Sequence, residues 1–296
     1  MSWPPAEVNI DTSLVGALVR AQFPIFGELD CLLVAEGFDN SLWRLGDDLV
    51  VRLPRREAAV ALSENERRWL HEVARGVTLR TPLPLLAGAP SDLYPWPWLI
   101  TSWIDGVPGD EIDLQANGSS ARALASFLRE LHVEAPADAP RSPVRGVALS
   151  SRSTTFQARL TRLRDHVDEK ALQELWVDCV GAPPWSSASR WLHGDFHPAN
   201  TLYRDGELVG VIDFGDLCAG DPATDLAGGL LSLPFDALDD FFGEYGFIDE
   251  ATLRRTIGWA LLFGVFMVSL GIEGRPTYRR VGELALKNAT QVARKR

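Results

Sequence analysis

The chain has 296 residues, 46% of them hydrophobic and 23% charged, an ordinary globular composition with room for one large domain or two lobes. Its 40 acidic and 29 basic residues give a net charge of −11, which argues against a nucleic-acid partner. Cys31, Cys179 and Cys218 are odd in number and lack Cys-x-x-Cys spacing, so neither a disulfide framework nor a zinc site is expected, and a reducing cytoplasm suits them.

The opening stretch, MSWPPAEVNIDTS, lacks the basic-then-apolar pattern of a signal peptide. Apolar residues at helical spacing predict a helix over Asp11–Gln22, capped by Asp11 or Thr12. Strands are predicted over Cys31–Ala35, Ser41–Leu45 and Leu49–Leu53, the last two joined by a tight turn in LGDDL. A helix from about Arg56 to Ala74 follows, then a broken strand, a Pro-rich loop and a strand over Trp98–Trp103. Beyond a linker near Ile104–Pro108 the pattern turns helical: Ser119–His132, Thr155–Val177, and from Asp236 almost to the end. In that half, Thr201–Tyr203 and Leu208–Asp213 alone read as strands. The longest apolar run, Trp259–Ile272, is shorter than the ~20 residues of a membrane span and reads as a buried helix. The expectation is an α+β protein of two lobes, a small sheet-rich one over residues 1–103 and a larger helical one over 104–296.

The stretch WLHGDFHPANTLYRDGELVGVIDFGD crowds acidic side chains, two histidines and an asparagine among strand-like residues. Buried carboxylates at such density need a cationic partner. Asp205-Gly206 is a strong two-residue turn signal, which sets Arg204 opposite Glu207, Leu202 opposite Val209 and Asn200 opposite Val211. Alternation then puts Asn200, Val211 and Asp213 on one face. Two oxygen ligands so placed suit Mg2+, which keeps waters and shares phosphate oxygens. Asp195, five residues before Asn200, completes the Asp-x-x-x-x-Asn and Asp-Phe-Gly order of phosphoryl transfer, in which the first Asp orients the attacking hydroxyl.

HGDFHPAN followed by VIDFGDLCAGDPATDLA resembles the aminoglycoside phosphotransferase family, small-molecule kinases related to protein kinases. EGFDNSLWRLGDDLVVRLPRR is similar to that family's N-lobe, and WLITSWIDGVPG to its interlobe strand and linker. The resemblance implies a protein-kinase-like fold, with Asp195 as catalytic base, Asn200 and Asp213 as Mg2+ ligands, His193 bracing the loop and Asp225 supporting it from the next helix. It further implies ATP or GTP as donor and the hydroxyl of a small molecule as acceptor.

One departure stands out. Kinases place a lysine on the third strand, but this chain has no lysine before Lys170, and Arg52 occupies the position. Family members resembling macrolide kinases carry a similar strand. The expected partner is Glu66, which shares a helix face with Leu62, Trp69, Leu70 and Val73, whereas Glu64 falls on a solvated face. Arg55 and Arg56 read as solvated strand-end charges. Backbone N–H groups around Asp39, Asn40 and Ser41 are candidates for a phosphate, and the backbone following Trp103 for the base. His197 reads as a packed loop histidine, and Asp216 carries no assigned role.

The expected acceptor is aminoglycoside-like. A macrolide sugar is the alternative, with choline-like, homoserine-like or other sugar acceptors open. Asp239, Asp240, Glu244 and Glu273 offer places for an amine-bearing substrate, although acids at such positions are mostly solvated. Two other functions fit less well. One is a catalytically weak nucleotide-binding regulator, supported by Arg52; the other is a metal-dependent hydrolase, which lacks a His-rich ligand shell.

Overall fold

A computed structural model describes residues 5–112 and 118–296; the first four residues of the N-terminal stretch read above lie outside it. Helix α1 (Thr12–Gln22) begins where the Asp11 carboxylate accepts the Leu14 N–H at 2.9 Å, and it buries Val15, Leu18 and Val19. These pack against an antiparallel sheet built of β1 (Cys31–Glu36), β2 (Asn40–Leu45), β3 (Leu49–Pro54), β4 (Pro84–Gly88) and β5 (Trp98–Ser102), in the order β1-β2-β3-β5-β4. Leu45 faces Leu49 across the expected turn, and Gly46 takes the positive φ of 58° there. The core of this half gathers Trp43, Leu45, Val51, Leu53, Tyr94, Trp98 and Ile100.

Helix α2 (Val60–Ala74) buries Ser63, Glu66, Trp69, Leu70 and Val73, a stripe at three- and four-residue spacing. Glu64 lies off that stripe and bonds Arg67 at the surface. Trp69 packs on Trp191 with ring centroids 5.3 Å apart, so α2 joins the sheet to the second, larger core.

That second core is mostly helical, with α3 (Gly118–Leu131), α4 (Ser153–Arg162), α5 (Glu169–Val180), α6 (Ala223–Ser232), α7 (Leu238–Tyr245), α8 (Glu250–Ile272) and α9 (Pro276–Lys295). The single helix expected over Thr155–Val177 is two. The Asp168 carboxylate caps α5 through the Ala171 N–H at 3.0 Å, which starts a new helix after a turn. α8 is long and apolar enough to cross a membrane, yet 78% of its apolar window is buried, and it packs against α5, α6 and α9 as a core helix.

Short strands position the remainder. In the predicted linker, β6 (Val107–Pro108) pairs with β8 (Thr201–Arg204), which pairs with β9 (Glu207–Val211). β7 (Arg190–Leu192) pairs with β10 (Cys218–Gly220), and neither was expected. Three residues are too few to show an alternation.

Candidate active site

The hairpin turns where it was expected to, with φ of 54° at Asp205 and 82° at Gly206. Its register differs. Arg204 faces Glu207 and Tyr203 faces Leu208, but a bulge then sets Leu202 opposite Gly210 and Thr201 opposite Val211. The extra residue on β9 shifts the ladder by one, so Asn200 falls beside Ile212, whose N–H donates to the Asn200 carbonyl at 2.9 Å. The single face expected for Asn200, Val211 and Asp213 is therefore not a ladder face. Asp213 lies past the strand and is turned by a left-handed backbone, φ 62° and ψ 66°, rare for a non-glycine residue.

The loop after β7 is held from beneath. Asp225, fully buried on α6, accepts the N–H groups of His193 at 2.6 Å and Gly194 at 2.9 Å, and lies 3.3 Å from His132 Nε2. His193 Nε2 donates to the Ile212 carbonyl at 2.9 Å, and its ring packs on Phe214 at 4.6 Å. The loop is thereby tied to the end of β9. Gly194 has φ of +84°, and a Cβ there would sit 2.3 Å from the Asp216 carbonyl oxygen. Gly194→Ala is expected to cost at least about 1–3 kcal/mol of stability from backbone strain, read as a lower urea midpoint.

Asp195 leaves this loop with its side chain 31% exposed. Arg145 Nη2 is 2.9 Å from one carboxylate oxygen and His197 Nε2 is 3.3 Å from the other. Burial alone would raise the Asp195 pKa, but the charges of His197 and Arg145 hold the carboxyl well below the usual range. Asn200 donates its side-chain N–H to the Asp195 carbonyl at 2.9 Å. Its amide nitrogen is thus committed within the loop, and the side-chain oxygen is the atom suited to a metal.

Arg52 reaches the site from β3. It donates to Glu66 through Nη1, while Nη2 lies 3.4 Å from Asp213 Oδ1. Burial pushes Glu66 up to about 7 against the pull of Arg52, and Glu66 Oε2 is buried without a partner. The Asp213 side chain is 54% exposed. Asp39, Asp216 and Tyr278 each feel the charges of both Asp195 and Asp213, which places the two carboxylates in one neighbourhood. One amide oxygen and one open carboxylate fit Mg2+, which completes its shell with waters and phosphate oxygens. Among the described residues, no group of three or more His, Cys, Asp or Glu forms a metal cage.

The loop between β1 and β2 differs in detail from expectation. Arg55 and Arg56 are not solvated: Arg55 donates to the Gly37 carbonyl at 2.8 Å, and Arg56 pairs with Asp39 at 2.6 Å and stacks over Phe38. Asp39 is pushed up by burial and also feels the charges of Asp213 and Asp195. Ser41 is fully buried, its hydroxyl accepting from Trp43 Nε1 at 2.8 Å, and is not open to a phosphate; Asn40 Oδ1 is buried without a partner. Trp103 donates its backbone N–H to Asp48 and accepts from Arg80 at its carbonyl, with its ring stacked under Arg44. Both of its backbone groups are committed within the protein.

Arg145 was not foreseen, because nothing in RSPVRGVALS marks one arginine as the neighbour of a carboxylate 50 residues away. His197, read as packing, touches Asp195. Three of the acids offered for an amine-bearing substrate are already paired: Asp239 with Lys295, Asp240 with Arg122 and Glu244 with Arg129.

A profile of the phosphotransferase enzyme family matches residues 30–259. The chain is 29% identical over 136 residues to an aminoglycoside 3'-phosphotransferase of Escherichia coli, an alignment covering 44% of this chain and 50% of that one, so the chain spans about half the length of that relative. It is 28% identical over 225 residues to the viomycin phosphotransferase of Streptomyces vinaceus, covering 71% of this chain and 77% of the relative. The fold is similar to that of aminoglycoside 2'-phosphotransferase-IIIa in its GDP complex, with a TM-score of 0.69 and 20% identity over 95% of this chain and 99% of that one.

Proposed function

The chain belongs to the phosphotransferase enzyme family, and on that premise we propose that it transfers the γ-phosphoryl group of ATP or GTP to a hydroxyl of a small molecule, with Mg2+ as cofactor. The observation that carries this reading is the joint placement of Asp195, Asn200 and Asp213 on one loop-and-hairpin unit, facing the Arg52–Glu66 pair. Residues 1–103 form the nucleotide lobe in this proposal, and residues 104–296 supply the catalytic loop and the acceptor side.

Asp195, kept ionised by its neighbours, orients the acceptor hydroxyl and takes its proton. Asn200 and Asp213 would hold Mg2+, which when bound neutralises charge on the phosphate oxygens. Arg52, fixed by Glu66, aims a guanidinium at the phosphates in the place a lysine usually takes. Asp225 and His193 act through Asp195 by fixing its loop. Free thiols at Cys31, Cys179 and Cys218 fit a cytoplasmic setting. Aminoglycosides enter as acceptors by likeness to the relatives, and macrolide sugars by the Arg52 strand, rather than by the chemistry around Asp195.

A catalytically weak nucleotide-binding regulator is the second reading, favoured by Arg145 resting on Asp195. Release of nucleoside diphosphate, followed across neutral, cationic and anionic alcohols with Mg-ATP and Mg-GTP, separates the two. The proposed enzyme turns over at least one of these alcohols, and Asn200→Ala raises the Mg2+ concentration for half-maximal rate by about tenfold or more. Binding of Mg-nucleotide without transfer to any acceptor would favour the regulator.

A further inference from the structure

Asp195 is met by Arg145, and two further arginines, Arg152 and Arg159, stand within reach of Arg145. Arg145 Nη2 is 2.9 Å from Asp195 and 3.3 Å from Asp216 Oδ2, and its guanidinium lies 5.1 Å over the Phe263 ring of α8. Three residues along the same helix, Phe266 carries the guanidinium of Arg159 at 4.2 Å. Arg152, just before α4, joins them. Its proton affinity is lowered by burial and by Arg145, and that of Arg159 falls to about 10 through burial and the charges of Arg152, Arg145 and Arg162. Among the described residues, neither Arg152 nor Arg159 has an ion-pair partner, and the carboxylates engaged by Arg145 are Asp195 and Asp216.

Such a cluster is costly. Like charges repel, and the Nε atoms of Arg145 and Arg152 are buried without a hydrogen-bond partner. A cluster that only fastened the loop would need no more cations than carboxylates. An anionic ligand with several acceptor oxygens is the group that planar guanidinium forks match.

We infer that the acceptor is a small hydroxyl compound carrying a carboxylate or phosphate, seated on Arg145, Arg152 and Arg159 with its hydroxyl presented to Asp195. This rests on the phosphotransferase reading and sets it apart from a polycationic acceptor, for which Asp239, Asp240 and Glu244 would first have to release Lys295, Arg122 and Arg129. In the transfer, the hydroxyl oxygen bonds to the γ-phosphorus as the bridging P–O bond to the β-phosphate breaks. The hydroxyl proton goes to Asp195, and the nucleoside diphosphate keeps the electron pair.

The test uses the full chain with its nucleotide site saturated by Mg2+ and a non-hydrolysable nucleotide analogue. Calorimetric titration compares glycerate, gluconate and glucose phosphate with their neutral counterparts glycerol and glucose, and Mg-nucleotide turnover is then measured with the same compounds and with an aminoglycoside. The anions are expected to bind more tightly than the neutral compounds, with carboxylate and phosphate arms telling which anion is seated. Arg152→Gln and Arg159→Gln each weaken that binding roughly 10- to 100-fold, the loss of a charged hydrogen bond, while the melting midpoint is not lowered. Equal binding of anionic and neutral compounds, insensitivity to both substitutions, or an aminoglycoside as the acceptor of highest kcat/KM overturns the inference. Arginine-dependent anion binding without any turnover upholds the anion seat and instead removes the phosphotransferase reading.

Discussion

Replacing Asp195 with Asn is expected to lower the turnover number about 10²- to 10⁴-fold, the range for losing a positioned general base, while nucleotide affinity is retained. The substitution keeps the shape of the side chain and the loop beneath it. The loop is fastened by Asp225 to the His193 and Gly194 N–H groups, and by Asn200 to the Asp195 backbone carbonyl, none of which needs the Asp195 carboxylate. What disappears is the negative charge between Arg145 and His197. An effect on kcat with little change in nucleotide KM marks a role at the reacting hydroxyl. Single-turnover kinetics with Mg-ATP or Mg-GTP reads the chemical step directly, and turnover within about threefold of the parent would remove Asp195 from the role of base.

The second large effect falls on stability. Arg52→Met leaves the Glu66 carboxylate buried without its cation, a change expected to cost about 3–5 kcal/mol at pH near 8. Glu66 is raised by burial from 4.5 to about 7 even with Arg52 present, so the folded state holds this proton more tightly than the unfolded state does. Its protonation favours folding below 4.5, and that contribution is lost as pH rises through about 7. Removing Arg52 raises the folded value further, so the deficit of Arg52→Met shrinks on acidification as Glu66 becomes neutral. Urea midpoints at about pH 5 and about pH 8 measure this, and adding Glu66→Gln should recover most of the loss at the higher pH. An equal deficit at both pH values would mean that Glu66 is not left as a buried charge.

Much of the site was legible because local rules write it. Asp205-Gly206 demands a turn with positive φ, and the two strands follow from it. Glu66 could be placed opposite Arg52 because helical spacing puts it in line with Trp69, Leu70 and Val73, the side that packs inward. The spacing of Asp195, Asn200 and Asp213 needed only counting. The register did not follow: a bulge on β9 is a one-residue event that alternation does not announce, and it moved Asn200 from Val211 to Ile212. The break between α4 and α5 had a local signal in Asp168, overridden by the helical spacing around it.

The sequence by itself determined a sheet-first, helix-later chain with a turn at Asp205-Gly206, a carboxylate-bearing loop ahead of it, and an arginine in a lysine's place. Those features depend on neighbours a few residues apart, where backbone sterics and side-chain periodicity decide. Tertiary structure alone decided that Arg145 meets Asp195 across 50 positions, that Arg52 meets Asp213 across 161, and that Arg152 and Arg159 gather near Arg145. With 29 basic and 40 acidic residues, the chain offers far more charge pairings than it can make. Burial by distant elements selects among them, since a pair drawn out of water gains or costs several times what it would at the surface.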